Sequence, residues 1–416
     1  MCPKPFMRAR IHRKNVLRST VLGLASVAAL AWWYLGDDRP GPAQTPAQAE
    51  AQLPSAFAVG NPSPSDLAAA AYSDAVVAAL HQRNQQLALW QARAARAKEV
   101  YNNYRDVTRY PPESRPLLDH PDQLRPFEPV VDVDAARDAF GKPLKGLRLR
   151  TTQTHAFLGG SESTVFTIAA LNDQNEPLAL VVSNAVAQAI PDTAAPVAPI
   201  QTQVRFNDQG ADGDAIAMDG TYSARFTPAG QGFAAYAGTA RVLAQVSANG
   251  QSGVVQFEVV YAPEVPATWL GVREAVEDGS LSFYFKIQAK IPGQYVGSAR
   301  VFDANDKPLA LLQFNNNVAI GPQELKMQLF GALIRDKAPA FPLRLVDVDG
   351  FLLRPHSFPD RLMMARQSGV MYRTGSYPIS RFSSAEWSNE ERERHLREYG
   401  HDKQVAAQQV RSLQGP

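Results

Sequence analysis

An uncharged run near the start of the chain restricts most strongly what this chain can fold into. Residues 19–35 read STVLGLASVAALAWWYL, and residues 1–36 contain six bases and no acid. Such a run is close to the shortest helix that crosses the ~30 Å hydrocarbon core, and the aromatic residues at its end suit the membrane interface. Because bases collect on the cytoplasmic side, we predict a single-pass membrane protein whose residues 1–18 are cytoplasmic and whose C-terminal domains lie outside.

The alternative is a cleaved signal peptide. Ala29, Leu30 and Ala31 fit the small-x-small cleavage pattern. Cleavage there would leave Trp32 and Trp33 at a new soluble N-terminus, so we favour an uncleaved anchor that contacts the lipid bilayer through residues 19–35.

Charge and cysteine content exclude several functional classes. Without the six N-terminal bases, 36 basic and 40 acidic residues remain. A mildly acidic body argues against nucleic acid as a partner, because phosphate binding requires a concentrated basic face. The only cysteine is Cys2, so the chain can form no internal disulfide and no cysteine-based metal site.

A spacer and a long helix follow the predicted anchor. Residues 36–65 are rich in Pro, Ala and Gln and are expected to form a disordered linker. Residues 66–108 contain neither proline nor glycine and show one apolar stripe at helical spacing, with Ser65 as a candidate cap. The stripe fits either a coiled coil or a helix that packs on its own domain or stands as a stalk, and we favour the second alternative because the stripe is rich in alanine. Residues 109–129 are a proline-rich extended segment.

The rest of the chain reads as mainly β. Alternating apolar and polar residues between polar turns predict an immunoglobulin-like β-sandwich over residues 130–262. A second β-sandwich, immunoglobulin-like or jelly-roll-like, is predicted over residues 265–355. Residues 356–416 are a C-terminal tail with a short strand and a helix from near Ser388, whose last fifteen residues we expect to fray.

One loop concentrates acidic side chains. Residues 207–222 read NDQGADGDAIAMDGTY, which places Asp208, Asp212, Asp214 and Asp219 among glycines that permit sharp turns. Hard oxygen ligands at such positions suit Ca²⁺, although the spacing lacks the acidic residue that closes an EF-hand. The alternative is a structural turn in which the aspartates bond to their own backbone. We favour the turn and keep the Ca²⁺ loop as the second interpretation.

This loop resembles the Asp/Gly loop of bacterial exported sandwich domains known as choice-of-anchor X and related Ig-like modules. Further similar stretches occur at residues 110–117, 271–279, 330–336 and 382–387. The resemblance implies an array of sandwich domains in the periplasm or at the cell surface, and it implies no known reaction. Together with the predicted anchor, it leads us to expect a protein of the bacterial inner membrane whose C-terminal domains are periplasmic.

No catalytic constellation is evident in the sequence. The seven histidines are scattered, and the chain contains no GxSxG, HExxH, Walker loop or GxGxxG. We therefore predict a non-enzymatic envelope protein without a cofactor, whose sandwich domains bind or scaffold an envelope protein or glycan partner. The alternative is a Ca²⁺- or carbohydrate-binding module that is accessory to an exported enzyme.

Overall fold

A computed structural model of the chain describes residues 64–190 and 200–415. Within them the protein is mainly β, which confirms the predicted class. The predicted membrane segment at 19–35 lies outside these residues, and no helix inside them is long and apolar enough to cross a bilayer. Contacts divide the chain into two compact units, Met1–Val76 and Val77–Pro416. All the strands of the described residues lie in the second unit.

The helical part begins with α1 (Pro64–Val107), so the proposed cap Ser65 lies inside the helix rather than before it. A short helix, α2 (Gly331–Lys337), follows much later in the chain. The last helix, α3 (Glu390–Gln414), starts at Asn389, whose side chain accepts a hydrogen bond from the backbone N–H of Arg392 at 2.7 Å.

Two sheets pack face to face to form the first β unit. One has the strand order β2-β3-β5-β6 with β9 also paired to β5, and the other has the order β4-β11-β10-β7-β8. Phe166 of one sheet stacks on Phe257 of the other at 4.5 Å between ring centroids, so a single core joins them. The strands are β2 (Val130–Arg137), β3 (Pro143–Gln153), β4 (Phe157–Gly159), β5 (Thr164–Leu171), β6 (Pro177–Leu178), β7 (Leu180–Ala189), β8 (Gln201–Gln203), β9 (Tyr222–Phe226), β10 (Gly238–Ala248) and β11 (Gln251–Ala262).

A second pair of sheets shares another core. The smaller sheet has the order β12-β13-β16, and the larger has the order β1-β15-β14-β17-β18 with β19 also paired to β17. Phe283 and Phe285 from the small sheet and Tyr295 from the large one are fully buried in this core. The strands are β1 (Ser114–Pro116), β12 (Ala267–Glu277), β13 (Ser280–Ala289), β14 (Gly293–Phe302), β15 (Pro308–Val318), β16 (Gly321–Leu329), β17 (Arg344–Leu353), β18 (Arg361–Met363) and β19 (Gln367–Arg373).

This second unit extends beyond the predicted range 265–355. Strand β1 comes from the segment expected to be merely extended, and it pairs with β15 through Ser114 and Leu312. Strands β18 and β19 come from the predicted tail. Ser114, the first residue of this short pairing, and Leu117, which follows it, are both buried. Their burial holds this proline-rich stretch against the sheet. Three-residue strands are too short for period-two alternation to reveal them.

Helices α1 and α3 pack against each other in antiparallel fashion. The Tyr104 ring meets those of His395 and Tyr399 near one end, and the Arg83 side chain donates hydrogen bonds to the Leu413 and Gly415 carbonyls near the other. The expectation that the last fifteen residues fray is therefore wrong, because α1 covers one face of α3 as far as its final turn. The packed-helix interpretation of α1 agrees with this arrangement.

Candidate functional site

The acidic loop connects β8 to β9 and is closed at its base by the backbone. Asn207 and Ser223 exchange two backbone hydrogen bonds of 2.9 and 2.8 Å. The Phe206 ring stacks near Phe257 in the first core, at 6.4 Å between centroids. Both ends of the loop are thus fixed to the sandwich, so its side chains are held at defined positions.

Asp208 folds the loop back on itself. Its two carboxylate oxygens accept hydrogen bonds from the backbone N–H groups of Asp219 at 3.1 Å and Gly220 at 3.0 Å. Its carbonyl oxygen also accepts from the Met218 N–H at 3.2 Å. A charged acceptor holding two backbone donors is among the stronger local hydrogen-bond arrangements. Asp208 is therefore bonded to residues eleven and twelve positions further along the chain.

Two further aspartates approach Asp208. Asp214 accepts a hydrogen bond from the Gly210 N–H at 2.6 Å, and Asp219 accepts one from the Thr221 N–H at 2.8 Å. One carboxylate oxygen from each of Asp208, Asp214 and Asp219 lies within 4.8 Å of the others. Over residues 64–190 and 200–415, no other group of three His, Cys, Asp or Glu side chains is gathered closely enough to hold a metal ion.

The fourth predicted ligand, Asp212, is not part of this cluster. It is exposed and has a left-handed backbone with φ of 53°. The next residue, Gly213, has φ of 100° and lies so close to Val165 that a Cβ atom there would be 2.7 Å from a Val165 methyl group. The chain thus turns onto the sheet at Gly213, which leaves the Asp212 side chain outside the group.

The three gathered carboxylates fit a calcium ion by their chemistry. Ca²⁺ binds oxygen at about 2.3–2.6 Å, so two of its ligands are at most about 5 Å apart. The spacing of Asp208, Asp214 and Asp219 meets that limit. Backbone N–H groups already hold all three carboxylates, so the loop keeps its shape through its own hydrogen bonds. The geometry accommodates both interpretations of the loop, with Asp212 removed from the ligand set.

A second cluster joins the helices to the second sandwich, and sequence reasoning missed it. The Arg109 guanidinium forms a bidentate pair with Asp336 at 2.8 and 3.0 Å and also contacts Glu386 at 3.3 Å. Tyr110 donates its hydroxyl to Asp336 at 2.8 Å, and Arg392, which is 4% exposed, pairs with Glu386 at 2.6 Å. We call these five residues the junction cluster.

The junction cluster contains residues from three of the stretches that resemble exported sandwich proteins. A fourth stretch lies beside it, because the Ser383 N–H donates to the Gly279 carbonyl at 2.8 Å. These four stretches are far apart in sequence but close in space. Sequence reasoning missed the cluster because spacing along the chain does not reveal which stretches are in contact.

Electrostatics in the junction cluster favours the ionised form of the acid. Burial alone would raise the pKa of Asp336, but hydrogen bonds from Arg109 and Tyr110 outweigh it and lower that pKa below its ordinary value. Burial, followed by the hydrogen bond to the Asp336 carboxylate, raises the pKa of Tyr110 to about 12. The ion pair therefore persists throughout the neutral range.

A third polar group connects the two sandwiches. Glu162 of the first and Arg366 of the second form an ion pair of 2.8 Å with 19% and 14% of their side chains exposed. Arg366 also donates to the Phe157 carbonyl at 3.0 Å. His155 lies nearby with a buried Nδ1 that has no hydrogen-bond partner. Burial, and then the positive charge of Arg366, lower the pKa of His155 to about 4.

Comparison with known proteins adds little to this description. No family model matches the chain, and no curated protein matches it. A DUF4785 family protein from Legionella pneumophila is similar at 10% identity, with a TM-score of 0.36 over 55% of this chain and 57% of that one. Squid arrestin is similar at 8% identity, with a TM-score of 0.20 over 57% of this chain and 99% of that one. Escherichia coli alpha-2-macroglobulin is similar at 9% identity, with a TM-score of 0.19 over 55% of this chain and 20% of that one. The match spans less than two thirds of the Legionella protein, and at such TM-scores these likenesses support no functional argument.

Proposed function

We propose that the chain is a non-enzymatic protein of the bacterial cell envelope that is anchored in the inner membrane by residues 19–35. Its sandwich domains, which would be of the immunoglobulin-like and jelly-roll-like kinds and related to choice-of-anchor X modules, are held in the periplasm. They bind or scaffold an envelope protein or glycan.

The junction cluster carries this proposal. It fastens the end of α1, the helix that follows the predicted anchor and linker in the chain, to the second sandwich through Arg109, Asp336 and Glu386. Arg392 brings the start of α3 into the same network. Breaking a half-buried ion-pair network costs more than breaking exposed pairs. A helix pair and a sandwich fastened in this way suit a protein that presents a surface at a fixed position.

A fusion at the C-terminus tests location. We expect alkaline phosphatase fused after residue 416 to be active in a bacterial host, since that enzyme is active only after export. A green fluorescent protein fusion routed through the same membrane machinery should stay dark. Deletion of residues 19–35 should remove the phosphatase activity and move the chain to the cytosol. Bright cytosolic fluorescence of the intact chain, with an inactive phosphatase fusion, would overturn the proposal.

A second function, Ca²⁺ binding in the acidic loop, is favoured by the three carboxylate oxygens within 4.8 Å of one another. Ca²⁺ bound only by the folded loop would raise the melting temperature of the first sandwich by mass action. The variant with Asp214→Asn and Asp219→Asn removes two charges but keeps side-chain oxygens that accept from Gly210 and Thr221.

We expect this variant to melt near the wild-type temperature without Ca²⁺ and to lose the rise with Ca²⁺. Asp212→Asn is the matched control, because it removes one charge outside the cluster and should leave the rise intact. The same melting curve for the wild-type chain with and without millimolar Ca²⁺ would leave the loop with a structural role only.

A further inference from the structure

The end of the helix pair far from the junction cluster is basic. Residues 77–98 of α1 and 403–415 of α3 contain six basic side chains and no acidic one, and we call this region the basic end. Acidic residues resume at Glu99 and Asp402, toward the sandwich. The bases of the basic end are Arg83, Arg93, Arg96, Lys98, Lys403 and Arg411.

An open groove runs between the two helices within the basic end. Its volume is about 450 Å³, and its lining is Gln91 and Ala94 from α1 with Ala407, Val410 and Arg411 from α3. The groove exists because alanine on both helices leaves space that larger side chains would fill. A channel of small residues between two parallel axes is the surface into which a third helix packs its ridge of side chains.

The apolar lining continues along α1 beyond the groove. At 100° per residue, Gln91 and Ala94 lie within about 20° and 40° of Leu80 around the helix axis. Leu80 and the adjacent Val77 are 51% and 52% exposed. Leu80, Val77 and the groove thus form one apolar stripe, about 26 Å long by helical rise, with Arg83 and Lys98 of α1 and Arg411 of α3 beside it.

We propose that this stripe binds an acidic amphipathic helix from another protein. Charge decides between occupants: a second copy of the chain would bring its own bases against Arg83, Lys98 and Arg411, whereas an acidic helix would bring carboxylates that complement them. Shape favours a helix over a flat surface, because Ala94 and Ala407 are recessed between their helices. The inference deepens the proposed binding role by giving the chemistry of one partner, and it does not depend on the location of the chain.

A synthetic helix tests the inference on the full chain in nanodiscs of zwitterionic lipid. The probe is a fluorescent peptide of about 25 residues with leucine at the a and d positions and glutamate at e and g. A control peptide carries lysine in place of every glutamate. We expect fluorescence anisotropy to show saturable binding of the acidic probe that weakens with salt, and no binding of the lysine peptide.

Matched variants locate the binding surface. Leu80→Glu and Leu89→Glu make the same change at positions that are each 51% exposed. They lie nine residues apart, about 180° around the helix, so only Leu80 is on the stripe. We expect Leu80→Glu to weaken the Kd at least about tenfold and Leu89→Glu to change it less than about twofold. Arg411→Gln should weaken binding and flatten its salt dependence, while circular dichroism stays unchanged.

Several results would overturn the inference. They are absence of binding by the acidic probe, equal binding of the lysine peptide, or equal effects of Leu80→Glu and Leu89→Glu. Self-association lost in Leu80→Glu would assign the stripe to a second copy. Displacement of the probe by anionic vesicles would assign it to a lipid surface. None of these outcomes bears on export, which the phosphatase fusion decides separately.

Discussion

Among the glycines that the structure describes, Gly331, the first residue of α2, leaves the least room for a side chain, and it provides a sharp test of the packing. A Cβ atom on Gly331 would lie 2.0 Å from the Gly279 carbonyl oxygen and 2.9 Å from the Ser383 nitrogen. Both neighbours are backbone atoms of other segments, so they cannot move aside as a flexible side chain can. The alanine variant must separate α2 from these two segments.

We expect Gly331→Ala to lower the free energy of unfolding of the second sandwich by about 3 kcal/mol. Overpacking costs about 1–3 kcal/mol, and backbone neighbours place this site at the upper end of that range. This figure includes loss of the 2.8 Å hydrogen bond from the Ser383 N–H to the Gly279 carbonyl, which is worth about 1 kcal/mol. The melting temperature should fall by about 6–12 °C.

Urea unfolding followed by tryptophan fluorescence measures this change without a signal from the first sandwich. Trp269 and Trp387 belong to the second sandwich and the segment beside it, and residues 130–262 contain no tryptophan. Gly230→Ala is the matched control, because no atom lies within 4 Å of a Cβ placed there. It lies in the first sandwich, so its unfolding is followed by circular dichroism. A loss below about 0.5 kcal/mol in Gly331→Ala, the size of an ordinary surface substitution, would refute the close approach.

Three further outcomes follow from the polar groups. Asp208→Ala should destabilise the first sandwich by about 2–4 kcal/mol without added metal, because two backbone donors lose a charged acceptor. Hydrogen exchange of the amides of residues 219–220 should also become faster. Asp212→Ala should change neither the stability nor the exchange. Arg366→Met should increase exchange near Glu162 while each sandwich keeps its own core, and an unchanged exchange pattern would contradict a connecting role. The folded-state pKa of His155, about 4, lies below its ordinary 6.5, so the unfolding free energy should fall as the pH falls from 6.5 to 4. His155→Gln should reduce that dependence in urea melts, and an identical pH slope would contradict it.

Local patterns predicted the elements better than their partners. Alternation at residues 163–168 and 239–246 placed strands inside β5 and β10 as observed. The apolar spacing of α1 predicted its helix, and a helix was also predicted from near Ser388. The packing face of α3 was not predicted, because the charged run EERERHLRE at its start has no apolar stripe in its first two turns. Its packing face there consists of Arg392, His395 and Tyr399, polar residues that join an interface only because α1 supplies their partners.

The acidic loop shows the same limit within a short segment. Composition marked four aspartates as equivalent, and the structure gathers three. The difference depends on the turn at Asp212 and Gly213, where positive φ values and the contact with Val165 direct the chain. The predicted range of the second sandwich left out β1 and β18, which have three residues each, and the short strand predicted in the tail is β19 of this sandwich. Which sheet such strands join depends on their neighbours, not on their own sequence. The choice-of-anchor X resemblance and the membrane anchor stay predictions.

Several elements of this chain are synthesised long before the segments with which they pair. Strand β1 must wait for β15, nearly two hundred residues later, and Arg83 must wait for a carbonyl 330 residues away. The first sandwich, by contrast, is complete as soon as β11 emerges. The first sandwich can therefore fold while β1 and α1 still lack their partners, and the helix pair can close only after α3 has been made.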